Sequence, residues 1–312
     1  MSIFAGAKQA VAQMTRIPIP NVAREERIGQ VFNQLCHVLY CTRVCEDEDV
    51  VWDFSGVQFL HPFLLGSLGV IRQSSRKRIH VDHIAQRVAG YYELIHFGNP
   101  LQVGSKTGSE QLQEYAARTY LPLCSIDLSA HNIGDLSTIL TTLISNQCHA
   151  DAGVTNPLNY FFGELIDNMF EHSCGSHGYL FAQRLASEHC INLLLADDGN
   201  NIYESYRRTN KYLREINGDE AMALRMACEG KSTKELPDAE SRGFGISSSS
   251  RMLVEGMGGA FFILSGTAFH RRDASGSYYA NIPEQIRWAG TIILMKIPMS
   301  LPAGFNYTIY IE

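Results

Sequence analysis

The stretch Glu164-Leu165-Ile166-Asp167-Asn168-Met169-Phe170-Glu171-His172-Ser173 decides how this 312-residue chain is read. At about 100° per residue, Glu164, Asp167, Asn168 and Glu171 share one arc, while Phe161, Phe162, Leu165, Ile166 and Met169 take the other side. A helix written this way packs its apolar side on a core and turns three carboxylates and an amide outward. A solvated helix face is written the same way, so the meaning of the stripe depends on what surrounds it.

Downstream, the apolar run Ile191 to Ala196 leads straight into Asp197-Asp198-Gly199-Asn200-Asn201. A carboxylate at a strand end followed by glycine lets backbone and ligand approach closely, although Asp-Asp-Gly alone is only a turn signal. Ser241-Arg242-Gly243-Phe244-Gly245-Ile246 then opens a helix with Leu253, Val254 and Met257 on its buried side. Glycines at a helix start free backbone N–H groups to cradle phosphate. Gly230-Lys231-Ser232-Thr233-Lys234 precedes this segment, and Gly258-Gly259 follows it before a strand ending in Ser265-Gly266. Gly290-Thr291 stands before Ile292 and the run to Lys296-Ile297-Pro298.

Together, over residues 120 to 299, these segments resemble the GHKL ATPases, the superfamily of gyrase, MutL-type repair proteins, heat-shock chaperone ATPases, sensor histidine kinases and anti-sigma-factor serine kinases. Residues 164–173 look like the N box, 197–201 like the first glycine box D-x-G-x-G, 242–246 like the second glycine box, and Gly290-Thr291 like the closing G-T-x-F strand. The order is the family's order. The resemblance implies a Bergerat-type α/β sandwich, a mixed sheet covered by helices on one face, that binds ATP and Mg²⁺.

Carried over residue by residue, the resemblance makes Asn168 the Mg²⁺ ligand and Glu164 the general base toward water or an incoming hydroxyl. Asp197 would accept a hydrogen bond from the adenine amino group, with Gly199 letting the base lie close and Thr291 completing the polar contact. Gly243 and Gly245 would carry the phosphates, and Lys231, Lys234 or Arg242 would add positive charge. For His172, capping or packing stands beside ligand contact. One position departs from the family: Asn201 replaces the second glycine of the first box, which puts hydrolysis in more doubt than binding. Asn tolerates the left-handed backbone region better than most residues.

Other motifs read less well. A P-loop ending at Gly230-Lys231-Ser232 would need its first glycine at Arg225, and the preceding residues look helical, so it is rejected. His172, Cys174 and His177 lack a second ligand cluster, and no zinc is expected. Eight cysteines, several in apolar stretches, read as buried thiols rather than a disulfide framework; Cys36, Cys41 and Cys45 have the wrong spacing for zinc knuckles.

Upstream, residues 27 to 41 have helical apolar spacing, Val50 to Phe54 reads as a strand, Pro62 to Ser74 as a helix, and 79 to 103 as a strand and a short helix. Residues 104–110, GSKTGSE, are the best linker, and the boundary is drawn near residue 118, giving an α/β two-domain chain. The later elements are a strand at Tyr120–Leu128, helices at about Asp135–Gln147 and Asn156–Ser173, and strands at 178–185, 190–196, 260–265, 291–297 and 307–311. Residues 203–241 are too long for an ordinary connection and read as a mobile lid with some helix of its own. The segment Val50 to Leu60, with the helix through Leu68, is similar to a STAS domain, the small α/β partner of anti-sigma kinases. His61-Pro62-Phe63 stands where phosphorylated STAS proteins carry Asp-Ser-Ser, so the acceptor hydroxyl is missing and an interaction surface is expected. An unrelated α/β module fits the same residues.

Composition bounds the rest. With 45% hydrophobic and 19% charged residues the chain can bury two cores, and 26 Lys+Arg against 32 Asp+Glu leaves no basic excess for a nucleic-acid backbone. No stretch approaches the roughly 20 apolar residues of a membrane span, and the first residues lack a signal-peptide core, so a cytoplasmic protein is expected. The function expected is a Mg-ATP-binding regulatory switch with slow hydrolysis, reaching an unknown protein partner through the N-terminal domain or the lid. A homo-oligomer is compatible with this. The alternatives are an anti-sigma-type serine/threonine kinase and a non-catalytic nucleotide-binding module. A sensor histidine kinase ranks lower, since no histidine stands in an H-[ED]-x-x-[TN]-P context.

Overall fold

The computed structural model describes residues 14–24, 26–103, 106–129, 134–148, 152–233, 245–302 and 305–310. The chain forms two compact units that divide between Asn99 and Pro100.

The first unit runs β1 (Thr15–Pro18), α1 (Ile28–Val44), β2 (Asp49–Asp53), α2 (Pro62–Ser74), β3 (Arg78–Asp82), α3 (Gln86–Leu94). Its sheet has the order β1-β2-β3, all parallel, with Thr15 opposite Val50 and Asp49 opposite Arg78. Parallel neighbours need crossovers, and α1 and α2 supply them. Val50, Val51 and Trp52 are fully buried, the unbroken apolar run of a strand covered on both faces. Trp52 Nε1 donates to Thr42 Oγ1 at 3.0 Å, and that hydroxyl donates to the Val38 carbonyl at 2.7 Å, so the indole's one polar atom is satisfied inside the core. Pro62 starts α2, where a missing N–H costs nothing. His61, just before it, is buried near the rings of Phe59 and Phe63, so an enclosed imidazole stands at the start of α2.

The second unit runs β4 (Leu101–Val103), α4 (Lys106–Tyr115), β5 (Tyr120–Asp127), α5 (Gly134–Cys148), α6 (Ala152–His172), β6 (His177–Leu185), β7 (Cys190–Asp197), α7 (Ile202–Thr209), α8 (Leu213–Ile216), α9 (Glu220–Cys228), α10 (Gly245–Arg251), β8 (Ala260–Gly266), β9 (Ala268–Asp273), β10 (Gly276–Asn281), β11 (Trp288–Pro298). Its eight described strands form one mixed sheet, β10-β9-β8-β11-β7-β6-β5-β4, in which only β4 and β5 pair in parallel. Leu180, Leu193, Leu195, Ile263 and Met295 on one face join Leu140, Phe161, Phe162, Leu165 and Leu253 of α5, α6 and the turn after α10 in a single core. Phe181, Leu194, Phe262 and Leu294, of the opposite parity, are buried as well, so the central strands read as continuous apolar runs rather than alternating ones.

Several expectations need correction. The 104–110 segment is no linker where it is described: α4 begins at Lys106, and Leu112, fully buried, belongs to the core of the second unit. With β4 paired to β5, the boundary falls at Asn99/Pro100 and not near residue 118. Gly and Ser content marked a flexible stretch, but an apolar side chain at helical spacing outweighs it. Residues 307–310 form a 3₁₀ turn (Tyr307–Tyr310), not a strand, and the β9–β10 hairpin was not anticipated. Much of the proposed lid is built into the unit: Tyr206, Ile216, Ala223 and Met226 cluster among α7, α8 and α9, and Leu224 and Cys228 enter the main core. Residues 234–241 of the lid lie outside the described residues. Among the described residues, no helix is long and apolar enough to cross a membrane.

Candidate functional site

Helix α6 positions the first two candidates one turn apart. Asn168 is half-buried beside the start of α10: a Cβ at Gly245 would lie 2.6 Å from Asn168 Nδ2, so glycine is what lets the two helices meet there. Asn168 Nδ2 is buried and has no hydrogen-bond partner, which leaves an oriented amide without a protein acceptor. Glu164, also half-buried, accepts a hydrogen bond from the Tyr160 hydroxyl one turn earlier; burial first, and then the Glu164 charge, push that phenol up.

The far end of α6 abuts the 197–201 turn. A Cβ on Gly199 would overlap the Ser173 carbonyl, and the Asn200 N–H donates to that same carbonyl. Gly175 approaches as closely, its hypothetical Cβ falling 2.7 Å from the Gly199 nitrogen. Asp198 holds the 174–177 turn in place, with Oδ1 accepting from the Ser176 and His177 N–H groups at 2.9 Å each. His177 Nδ1 also lies 3.3 Å from Asp198 Oδ2. Asn201 is extended, at φ −73°, and not left-handed. Its side chain caps α7 by accepting from the Glu204 N–H at 2.9 Å, a role that needs a side-chain acceptor and that glycine could not fill.

Asp197 ends β7 at 6% exposure. Burial pushes its carboxyl up to about 7, against the opposing pull of N–H donors from Gly199, at 3.0 Å, and Thr291. A side chain at Gly290 would overlap Asp197, so this glycine is required by the carboxyl group. The register of β11 against β8 shifts between Trp288 and Thr291, an irregularity that re-aims Thr291. Thr291 Oγ1 lies 2.9 Å from Ser265 Oγ, which also accepts from the Ile202 N–H at 2.8 Å.

Two groups of candidates thus lie along α6. Glu164, Asn168 and Gly245 lie toward one end; Asp197, Gly199 and Thr291 lie near the other. They are joined through Ser173, which follows Asn168 by about 7 Å along the helix axis. Lys231 is not brought to either group by any described contact. Its ammonium stands 6.0 Å over the Tyr212 ring, and its carbonyl accepts from the Tyr206 hydroxyl. Lys234, Arg242 and Gly243 lie outside the described residues, as does the side chain of His172. Sequence reasoning gave no role to Gly175, Ser265, Gly290 or Tyr160. Gly290 and Ser265 stood in quoted motifs, but the need for them arises only from what they touch. Comparison with family models, curated proteins and solved structures found no match.

Proposed function

We propose that the second unit binds Mg-ATP and acts as a nucleotide-dependent regulatory switch with slow hydrolysis. The observation that carries this reading is the path from the unpaired Asn168 Nδ2, a donor suited to a phosphate oxygen and set against Gly245, to the buried Asp197 carboxyl, braced by Gly199, Gly290 and Thr291. The residues fit the ligand. An amide oxygen suits a hard cation, a buried carboxyl suits an exocyclic amine, and glycine at both approaches leaves room for phosphate and base. Bound Mg-ATP supplies an electrophilic γ-phosphoryl group whose charge the metal neutralises.

The chain's own groups do the rest. Asp197 orients the base, Thr291 and Ser265 fix the hydroxyl pair beside it, and Asn168 holds the metal. Glu164 withdraws the proton from water. The Tyr160 hydroxyl occupies one acceptor position of this carboxylate, which fits slow turnover and also supports a second reading, a module that binds without hydrolysing. Calorimetric titration with Mg-ATP tests the binding claim: Asn168→Ala is expected to weaken affinity about tenfold or more. Unchanged affinity would remove Asn168 from the site. Phosphate release that is lost in Glu164→Ala with binding intact selects the switch; none in the wild type selects the inert module.

A further inference from the structure

A second candidate site lies at the edge of the sheet beyond α10. A cavity of about 570 Å³ opens between α9, α10, β9 and β10, and three guanidinium groups line it, Arg225 from α9, Arg251 from α10 and Arg272 from β9. Ser247, Ser277 and the Tyr279 phenol add hydroxyls, and Glu229 is the one carboxylate among the described lining residues. None of these residues belongs to the candidate nucleotide site. On α10, Ser247 and Arg251 lie about 200° and 240° around the axis from Gly245, so the cavity faces away from Asn168.

Surface arginines are usually paired, and these have carboxylates nearby. Arg225 Nε bonds Glu229 at 2.9 Å, and Glu255, outside the lining, serves both Arg272 and Arg251. The pairing falls short of the charge. Arg251 is 3.7 Å from Glu255, longer than a hydrogen bond, and each guanidinium has five donors, more than the contacts to these carboxylates use. Among the described residues, three guanidiniums stand against Glu229 and Glu255, which leaves one net positive charge and several unused N–H donors. A phosphate monoester carries about two negative charges and presents oxygens to guanidinium forks and hydroxyls alike. Phosphate alone would leave most of 570 Å³ empty, whereas small-molecule pockets run from about 300 to 1,000 Å³.

The floor is stiff. The Tyr279 ring stacks on the buried His270 imidazole at 4.0 Å and 2° between planes, and His270 Nδ1 lies 3.5 Å from Cys228 Sγ. Arg251, Arg225 and Arg272 remain reachable, with 42%, 56% and 21% of their side-chain surfaces exposed.

We propose that this cavity is a second ligand site of the unit, which takes a small phosphorylated molecule by its phosphate group. Inorganic pyrophosphate, titrated calorimetrically into the full chain without Mg²⁺, is the probe. Wild type is expected to bind it, the double variant Arg251→Gln/Arg272→Gln to bind about tenfold more weakly or worse, and Asn168→Ala to bind it as wild type does. Arg225→Gln, at a side chain more than half exposed, is expected to weaken binding with an unchanged melting temperature, and it decides the matter should the double variant fail to fold. Absence of binding in wild type overturns the proposal, as does full affinity in Arg225→Gln and in a folded double variant. Loss in Asn168→Ala alone also overturns it, since the anion would then occupy the nucleotide site. Because that control separates the two sites, failure here leaves the nucleotide reading standing, and the reverse holds as well.

Discussion

Burying Asp197 works against the stability of the fold. Its carboxyl titrates near 7 in the folded chain and near the ordinary value of about 4 in the unfolded chain, chiefly because the charged form is cut off from water. Between those values the folded state keeps a proton that the unfolded state has lost. The contribution of Asp197 to stability therefore falls as pH rises from about 4 through about 7 and is level beyond, by an amount on the order of 4 kcal/mol. His270, pushed down to about 4 by burial, contributes a rise up to about 6.5 that opposes it, so the difference between wild type and variant isolates Asp197. Asp197→Asn is expected to flatten that slope and to raise stability at pH 8, as measured by denaturant unfolding at a series of pH values. A slope identical in the variant would assign the effect to another group. A carboxyl held at such a cost with N–H donors from Gly199 and Thr291 is what a binding residue looks like. Asn201 makes a different point at the same scale. Read from its neighbours it is a turn residue, and in place it is the N-cap of α7.

At the scale of elements, a buried acid adds to the Ile202–Ser265 hydrogen bond and the packing of Leu224 and Cys228 in tying the insertion α7–α9 to the sheet. Glu220, at the first turn of α9, accepts from the Thr267 N–H at 2.6 Å and the Thr267 hydroxyl at 3.0 Å, while its other oxygen takes the Arg287 guanidinium at 2.5 Å. Asp219 caps the same helix through the Ala221 and Met222 N–H groups. Glu220→Ala strands a buried N–H and removes a carboxylate from Arg287, which keeps Glu284. The expected loss is about 2 to 3 kcal/mol, with Glu220→Gln retaining part of it because an amide oxygen still accepts from Thr267. Chemical denaturation measures both, and a loss well under about 1 kcal/mol in Glu220→Ala would show that the clamp does not anchor the insertion. The apolar spacing of Val31, Leu35 and Val38 and of Phe161, Leu165 and Met169 placed α1 and α6 without tertiary information, as the β-branched run at 50–54 placed β2. The hairpin β9–β10 had no such signal. Its strands mix arginine, serine and exposed tyrosine because their partners, α9 and β8, cover only part of them.

For the molecule as a whole, the division at Asn99/Pro100 has a direct consequence. Val103 and Leu112 lie in the second unit's core, so a piece spanning residues 100–312 is expected to fold cooperatively, while one spanning 119–312 should lose several kcal/mol or fail to fold, judged by thermal unfolding. Equal melting temperatures for the two pieces would move the boundary back toward residue 118. The first unit's three parallel strands and the second unit's mixed sheet each have their own core-forming helices, and a regulatory role for the chain requires at least one of these units to carry a state that a partner can sense.

Local pattern by itself determined the helix and strand positions that have strong periodicity and the α/β class, because each depends on residues within a few positions of one another. The tertiary structure alone decided which side chains meet: Asn168 with Gly245, Ser173 with Gly199, Gly290 with Asp197, and three arginines from separate elements around one cavity. Such meetings depend on how distant segments pack, and the energy that settles them, steric exclusion at a glycine or the burial of a charge, exists only once the chain has closed on itself.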